Sequence, residues 1–124
     1  MINGFDKETA PLSDAELDAV PTIVSALKQA YGKENALFNQ QLCAMVPGLT
    51  SARLRKIINY IRTNKLVQCV IASSKGYYVA ETEQEMKDYE ESLLGREMAI
   101  REVRQCIADQ RQTRFGDGFQ GRLF

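Results

Sequence analysis

The sequence contains no histidine and no tryptophan. Histidine is the side chain that most often serves as a general base near neutral pH and as a zinc ligand, so its absence removes the commonest catalytic and metal-binding arrangements. The phosphate-binding pattern GxxxxGK[ST] and the nucleophile pattern GxSxG are also absent. The sequence therefore predicts a protein that is not an enzyme and that holds no metal and no cofactor.

Cysteine is sparse as well. Cys43, Cys69 and Cys106 are odd in number and far apart, without the CxxC spacing of many metal and redox sites. We expect all three to be reduced and to pack as small apolar side chains, which is common behaviour for free cysteine.

Long apolar runs are missing, and none approaches the roughly 18 to 20 residues of a membrane-spanning helix. The first ten residues, MINGFDKETA, have neither the basic start nor the apolar centre of a secretion signal. Hydrophobic residues make up 44% and charged residues 26% of the 124 positions, a composition typical of globular proteins. The expected organisation is one compact domain with an appendage, located in the cytoplasm.

The net charge is zero, but the charges are unevenly distributed. Residues 33–80 contain seven basic residues and one acidic residue, a net charge of +6, whereas residues 1–32 and 81–124 each carry −3. A neutral protein with such a division can present one electropositive face to a polyanion. The alternative is a run of solvated lysines and arginines without a partner.

Capping residues and apolar spacing predict helices in the N-terminal half of the chain. Ser13 and Glu16 have the spacing of a capping box, which marks a helix start. Pro21 lacks an amide donor and predicts a break or restart, so that the main helix would run from about 21 to 31 and end at Gly32. Its apolar residues recur every three or four positions, as expected for one buried stripe.

Shorter elements are expected next: a brief strand at 36–38, a helix over 39–46 capped by Asn39, and the turn Pro47-Gly48. A third helix is predicted over 51–64.

Thr50 or Ser51 would cap this third helix. Its apolar stripe, which should face the core, consists of Leu54, Ile57, Ile58 and Ile61. The opposite side is polar and basic, because at 100° per residue it contains Ala52, Arg55, Lys56, Asn59 and Thr63.

A hairpin should follow, with strands at 67–73 and 77–80 and the turn Ser73-Ser74-Lys75-Gly76 between them. Of the two adjacent tyrosines, we expect Tyr78 to cover the core and Tyr77 to face outward.

Residues 36–107 resemble the winged helix-turn-helix proteins that are common in bacteriophages and prophages. In those proteins a helix of the pattern S-x-x-L-R-x-x-I-x-x-[IL]-R precedes S-S-x-G-Y-Y-x-A and a long helix, as SARLRKIINYIR and SSKGYYVA do here. The resemblance implies a mainly α fold with a small β-hairpin (α+β), in which a winged helix-turn-helix domain over 13–81 is followed by a long C-terminal helix. It also implies double-stranded DNA binding, as a transcriptional regulator or a replication accessory protein.

In such a protein, helix 51–64 would enter the major groove and the wing at 67–80 would contact the flanking backbone or minor groove. Arg55 would pair with a guanine and Asn59 with an adenine, each contributing about 1 to 3 kcal/mol of discrimination. The candidate DNA-binding residues are Ser51, Ala52, Arg53, Arg55, Lys56, Asn59, Arg62, Ser74 and Lys75, with Lys33 as a further phosphate contact. The alternative is a protein-docking winged helix without DNA affinity, on which these cations only aid solubility.

Residues 82–112 predict one long helix that starts with a capping box at Thr82 and Glu85. Apolar residues at heptad spacing suggest a dimerisation seam, and they are Met86, Tyr89, Leu93, Ile100, Val103 and Ile107. The exposed stripe favours a homodimer matched to a palindromic site. The alternative is a helix that bends at Gly95 and folds back over its own domain.

The two ends of the chain, 1–12 and 113–124, are expected to be flexible. In the second of these, TRFGDGFQGRLF, the alternative is that the aromatic residues dock on a partner.

Overall fold

The computed structural model describes residues 10–116. These residues divide into two compact units, with the boundary between Met86 and Lys87. In chain order the elements are α1 (Asp14–Gln29), a 3₁₀ turn (Lys33–Asn35), α2 (Asn39–Cys43), α3 (Ser51–Thr63), β1 (Val70–Ser73), β2 (Gly76–Val79) and α4 (Glu83–Phe115). The coarse fold prediction is confirmed, because the chain is mainly helical with one antiparallel hairpin and a long C-terminal helix.

Helix α1 runs through Pro21 without a break, so the predicted restart is wrong. The predicted capping box is confirmed: Ser13 Oγ accepts a hydrogen bond from the Glu16 amide (3.2 Å), and Glu16 Oε1 accepts one from the Ser13 amide (2.8 Å). An internal proline costs about 3 kcal/mol. Burial of Ile23 and Leu27 offsets that cost, since each contributes about 1.5 to 3 kcal/mol.

Helices α2 and α3 are joined by residues 44–50, where Gly48 has a φ of +77°. Helix α2 ends at Cys43, earlier than the predicted residue 46. Its cap is also one residue earlier than predicted, because Phe38 is the N-cap and its amide donates to Gln41 Oε1 (2.7 Å).

The hairpin pairs Val70 with Val79, Ile71 with Tyr78 and Ala72 with Tyr77. Strand β1 begins at Val70 rather than at residue 67, and the residue before it, Cys69, has a left-handed φ of +64°. Both tyrosines are buried, so the prediction that Tyr77 faces outward is wrong. Tyr77 belongs to the main core cluster, and Tyr78 lies on the other face of the hairpin. Burial and the nearby Glu85 carboxylate raise the pKa of Tyr78.

The outer edge of β2 is covered by the chain that connects α1 to α2. Tyr77 and Leu37 exchange two backbone hydrogen bonds of 2.9 Å, the Val79 amide donates to Ala30 O (2.8 Å), and the Gly32 amide donates to Val79 O (2.9 Å). The predicted strand at 36–38 is therefore reduced to a single bridge at Leu37. This pairing fixes the hairpin to the helical part of the domain.

One core unites the three N-terminal helices and the hairpin. The buried residues of this cluster are Val20, Ile23, Leu27, Leu42, Leu54, Ile57, Ile58, Ile61, Val67, Val70 and Tyr77. The predicted stripe of α3 lies wholly inside it, which turns the polar side of that helix outward.

Helix α4 starts with the predicted capping box, in which Thr82 Oγ1 accepts from the Glu85 amide and Glu85 Oε1 accepts from the Thr82 amide, both at 3.1 Å. The helix continues through Gly95 as one element and reaches Phe115, so residues 113–115 are helical rather than part of a flexible tail. Within residues 10–116, no helix has both the length and the apolar content to cross a membrane. The tail prediction for 117–124 lies outside the described residues.

The three cysteines are unpaired thiols, but only Cys43 packs against the core. Cys69 and Cys106 are exposed, so the expectation that all three are packing residues is wrong for these two. Cys69 is exposed because it occupies the irregular segment before β1, and Cys106 because it lies on the solvated surface of α4.

Candidate nucleic-acid interface

The outward side of α3 is positioned by the burial of its opposite side. Leu54, Ile57 and Ile61 have no exposed surface, and Ile58 retains 1%. The start of the helix is fixed by Thr50, whose Oγ1 accepts a hydrogen bond from the Arg53 amide (3.2 Å). With both constraints the helix has little freedom to rotate, and its polar side chains project from a rigid element.

The structure brings the central candidates together on this side of α3. Ser51, Arg55 and Asn59 are exposed, and Lys56 is half-buried between the turns that hold them. Arginine and lysine are cationic at neutral pH, so Arg55 and Lys56 can attract an anion. Arg55, Lys56 and Asn59 thus form a compact polar surface, which we call the α3 outer face.

The predicted contact residue Arg62 adjoins the α3 outer face, where its Nη1 donates to Asn59 Oδ1 (3.2 Å). A carbonyl oxygen has two lone pairs, so Asn59 retains an acceptor and its two amide donors for a further partner. The pairing also orients the amide plane.

Arg53 does not belong to the α3 outer face, although the sequence predicted it as a DNA contact. Its guanidinium makes an ion pair with Glu16, with Nε to Oε2 at 2.7 Å and Nη2 to Oε1 at 2.6 Å. It also donates to the carbonyl oxygens of Ala10 (2.8 Å) and Pro11 (3.0 Å). We call this arrangement the Arg53 clamp.

The Arg53 clamp is largely shielded from solvent, since the two charged side chains are 14% and 16% exposed. The hydrogen bond from Arg53 lowers the pKa of Glu16 from 4.5 to about 2, and the carboxylate in turn raises the pKa of Arg53. Because the guanidinium donates at least four hydrogen bonds to Glu16, Ala10 and Pro11 within residues 10–116, Arg53 is a structural residue, and we exclude it from the candidate interface.

The clamp also corrects the prediction for the N-terminal lead. Ala10 and Pro11 are bound by Arg53, and Leu12 packs against the core, so the last three residues of the expected flexible segment are held. Residues 1–9 lie outside the described part of the chain.

A groove of about 550 Å³ borders the α3 outer face. One wall is apolar and comes from the lead and α1, and the other comes from α3; the lining residues are Pro11, Leu12, Leu17, Lys56, Asn59, Tyr60 and Thr63. Leu17 and Tyr60 are more than a third exposed in it. This groove was not predicted from the sequence, in which its one signal is that Tyr60 lies outside the apolar stripe of α3.

The turn between β1 and β2 has an internal hydrogen-bond network. Ser73 Oγ donates to Gly76 O (3.2 Å) and accepts from the Lys75 amide (3.1 Å), so Ser73 shapes the turn. Ser74 and Lys75 are exposed at the tip. Gly76 has a φ of +113°, and a Cβ there would lie 2.2 Å from Leu37 O, so only glycine fits.

Two further candidates lie elsewhere. Ala52 is half-buried on the first turn of α3, and Lys33 is exposed on the 3₁₀ turn. Among residues 10–116 there is no cluster of three side chains suited to hold a metal ion.

Comparison of the chain with protein-family models, with curated protein sequences and with solved structures gave no significant match.

Proposed function

We propose that residues 13–81 form a winged helix-turn-helix domain that binds double-stranded DNA. The observation that carries the proposal is the rigid, exposed α3 outer face on a helix whose other side is completely buried. The order of elements supports it, since α1, the bridge at Leu37, α2, α3 and the hairpin follow one another as in winged helices.

In this proposal, α3 lies in the major groove. Arg55 and Lys56 donate to guanine acceptors or to phosphates, and Asn59 makes a bidentate contact with an adenine. Ser51 is near the helix start and contacts the backbone. On the hairpin, Ser74 and Lys75 reach the flanking phosphates or the minor groove.

The charge distribution supports a polyanionic partner. Residues 33–80, the part of the proposed domain that contains α3 and the hairpin, carry seven basic residues against the single carboxylate of Glu34. One of the seven, Arg53, is paired with Glu16, and Arg62 donates to Asn59, whereas Arg55 and Lys75 are exposed cations that can attract a duplex.

A titration with a mixed-sequence duplex tests the proposal. Fluorescence anisotropy at low salt should show binding at micromolar protein, with an affinity that falls steeply as salt rises because phosphate contacts release counterions. Lys56→Ala should weaken binding several-fold and reduce the salt slope by about one unit. Absence of binding at low salt would overturn the proposal.

The matched control is Lys28→Ala. Lys28 is an exposed cation in the last turn of α1, so this variant removes the same charge from the same domain. It should bind DNA as the wild type does, and an equal loss in both variants would mean that only net charge matters.

We further propose a role as a phage- or prophage-type transcriptional regulator or replication accessory protein, acting in the cytoplasm, on the resemblance of residues 36–107. Selection of bound sequences from a random duplex pool separates the two roles. A two-fold symmetric motif would favour the regulator, whereas binding without sequence preference would favour the accessory protein.

The second candidate function is protein docking. The groove between Leu17 and Tyr60 favours it, because an exposed apolar wall beside Lys56 suits an apolar side chain of a protein partner better than a phosphate. This function replaces the first one if the duplex titration shows no affinity.

We also propose that the protein is a homodimer through α4. The seam residues Leu93, Ile100, Val103 and Ile107 are 43%, 69%, 63% and 58% exposed, and a second helix would cover them. Met86 and Tyr89 continue the seam and are half-buried. Light scattering measures the outcome directly, and a monomer at all accessible concentrations would contradict the dimer.

A further inference from the structure

The charges that flank the α4 seam change sign along the helix. With Met86, Leu93, Ile100 and Ile107 at the first heptad position, the fifth position is occupied in order by Glu90, Glu97, Arg104 and Arg111. All four side chains are exposed. The flank is thus acidic in its first half and basic in its second half, and the change falls between residues 97 and 104.

The charges of a helix with this pattern are therefore complementary to those of a second copy that runs in the opposite direction. We propose that α4 pairs with α4 of a second copy of this chain in antiparallel orientation. This inference rests on the self-association proposed above. It adds the direction and the register of the pair.

The register follows from heptad geometry. In antiparallel coiled coils a first-position residue packs beside a fourth-position residue of the other helix, and fifth positions face fifth positions. Ile100 then packs against Val103 of the partner subunit at the centre. Glu97 faces Arg104 of the partner subunit, and Glu90 faces Arg111 of the partner subunit. The two-fold axis repeats each contact, so the dimer has four attractive pairs.

Parallel pairing of two α4 helices would bring like charges together. It would stack Leu93, Ile100 and Ile107 on their own copies, but it would also place Arg96 directly against Arg96 of the partner subunit inside the seam. Flanking positions would meet as Glu85 with Glu90 of the partner subunit, which repel. In the antiparallel register the two Arg96 residues are about 16 Å apart along the axis, at 1.5 Å per residue. The helix dipoles also oppose one another favourably in that register.

Leu94 and Met98 are exposed as well, at 52% and 58%. At 100° per residue they lie on the opposite side of α4 from the seam, so they take no part in the proposed pair. They provide apolar positions for control substitutions.

Charge reversal in the full-length protein tests the flanking pairs. Glu97→Arg alone, or Arg104→Glu alone, turns two attractive pairs into repulsive ones and should raise the dimer dissociation constant about tenfold at low salt. The double variant Glu97→Arg/Arg104→Glu restores opposite charges across the antiparallel interface and should dimerise as the wild type does. Sedimentation equilibrium provides the constants.

The control is Glu91→Arg, the same charge change at an exposed position that faces away from the seam. It should leave the dissociation constant within about twofold of the wild type. If the double variant is as weak as the single ones, the antiparallel register is wrong.

Disulfide crosslinking tests the orientation independently, in a background with Cys43→Ala, Cys69→Ser and Cys106→Ser. Residue 93 faces residue 110 of the partner subunit in the antiparallel register, so a mixture of Leu93→Cys and Gln110→Cys chains should form a crosslinked dimer. Leu93→Cys alone should not, because the two copies are about 25 Å apart.

The possible results are distinguishable. If Leu93→Cys crosslinks with itself, α4 pairs in parallel and only the orientation is wrong. If the wild-type protein is a monomer, the self-association and the orientation are both wrong.

Discussion

At the scale of single residues, the Arg53 clamp shows how the same residue type can serve opposite purposes on one helix. Arg53 and Arg55 are two positions apart on α3, which points their side chains in different directions. One guanidinium meets Glu16 in a shielded site, and the other is exposed on the α3 outer face. The sequence alone does not distinguish the roles of the two arginines, because Glu16, the carboxylate that pairs with Arg53, is 37 residues away.

We expect Glu16→Gln to lower the free energy of unfolding by about 1 to 3 kcal/mol at neutral pH, the range for hydrogen bonds to charged groups. The hydrogen bond from Arg53 lowers the pKa of Glu16 in the folded state to about 2, below its usual value of 4.5. Its contribution is therefore fully present above pH 4.5 and is lost as the pH falls towards 2.

Urea unfolding of the wild type and the variant as a function of pH measures this difference. The gap between the two should close between pH 4.5 and 2. Asp18→Asn, at an exposed position of the same helix, should show no such gap. A gap that stays constant down to pH 2 would contradict the assigned ion pair.

At the scale of elements, local signals predicted the structure well. Both capping boxes, the third helix and its buried stripe depend on residues within four positions of one another, and all are confirmed. Two of the wrong predictions, the break at Pro21 and the outward-facing Tyr77, depend on contacts between distant parts of the chain. Pro21 is tolerated because residues on either side of it are buried, and Tyr77 is buried because Leu37 and the core cover it.

Gly76→Ala should destabilise the hairpin by more than the roughly 1 to 2 kcal/mol of a left-handed backbone alone, since the new Cβ would collide with Leu37. Gly48→Ala is the matched comparison, because Gly48 has a φ of +77° but nothing within 4 Å of its Cβ position. Thermal unfolding should rank the variants with Gly76→Ala lowest. Equal losses would mean that the contact with Leu37 relaxes.

Gly95→Ala should stabilise the protein, in contrast to the two glycine substitutions above. Gly95 is exposed in the middle of α4 with no atom near its Cβ position, so alanine adds helix propensity worth up to about 1 kcal/mol without a collision. Circular dichroism should show a higher melting temperature or more helix. A loss of helix would indicate that α4 uses the flexibility of glycine at this point.

At the scale of the whole molecule, the charges are segregated although their sum is zero. The basic residues of 33–80 support the proposed duplex contact, and the sign change along α4 supports the proposed pair. The α3 outer face was predictable, since the helical wheel of residues 51–64 identifies Arg55, Lys56 and Asn59. The groove beside it was not, because its apolar wall comes from residues 11–17.

Self-association should make α4 more stable as the protein concentration rises, because a second copy binds the folded helix and not the unfolded one. Ile100→Asn places a polar group in the seam and should abolish the rise of melting temperature with protein concentration. Leu94→Asn, on the far side of the same helix, should preserve it. Circular dichroism over a hundredfold range of concentration compares the two, and equal behaviour would contradict the assigned seam.

The Arg53 clamp has a consequence for redesign. A library that randomises every position of α3 would lose most of its members to unfolding, because it would replace the buried stripe and also the arginine that joins this helix to α1 and to the preceding chain. Diversity confined to positions 55, 56 and 59 would leave the framework intact. New ligand preferences can then be selected in a scaffold whose stability does not vary with them.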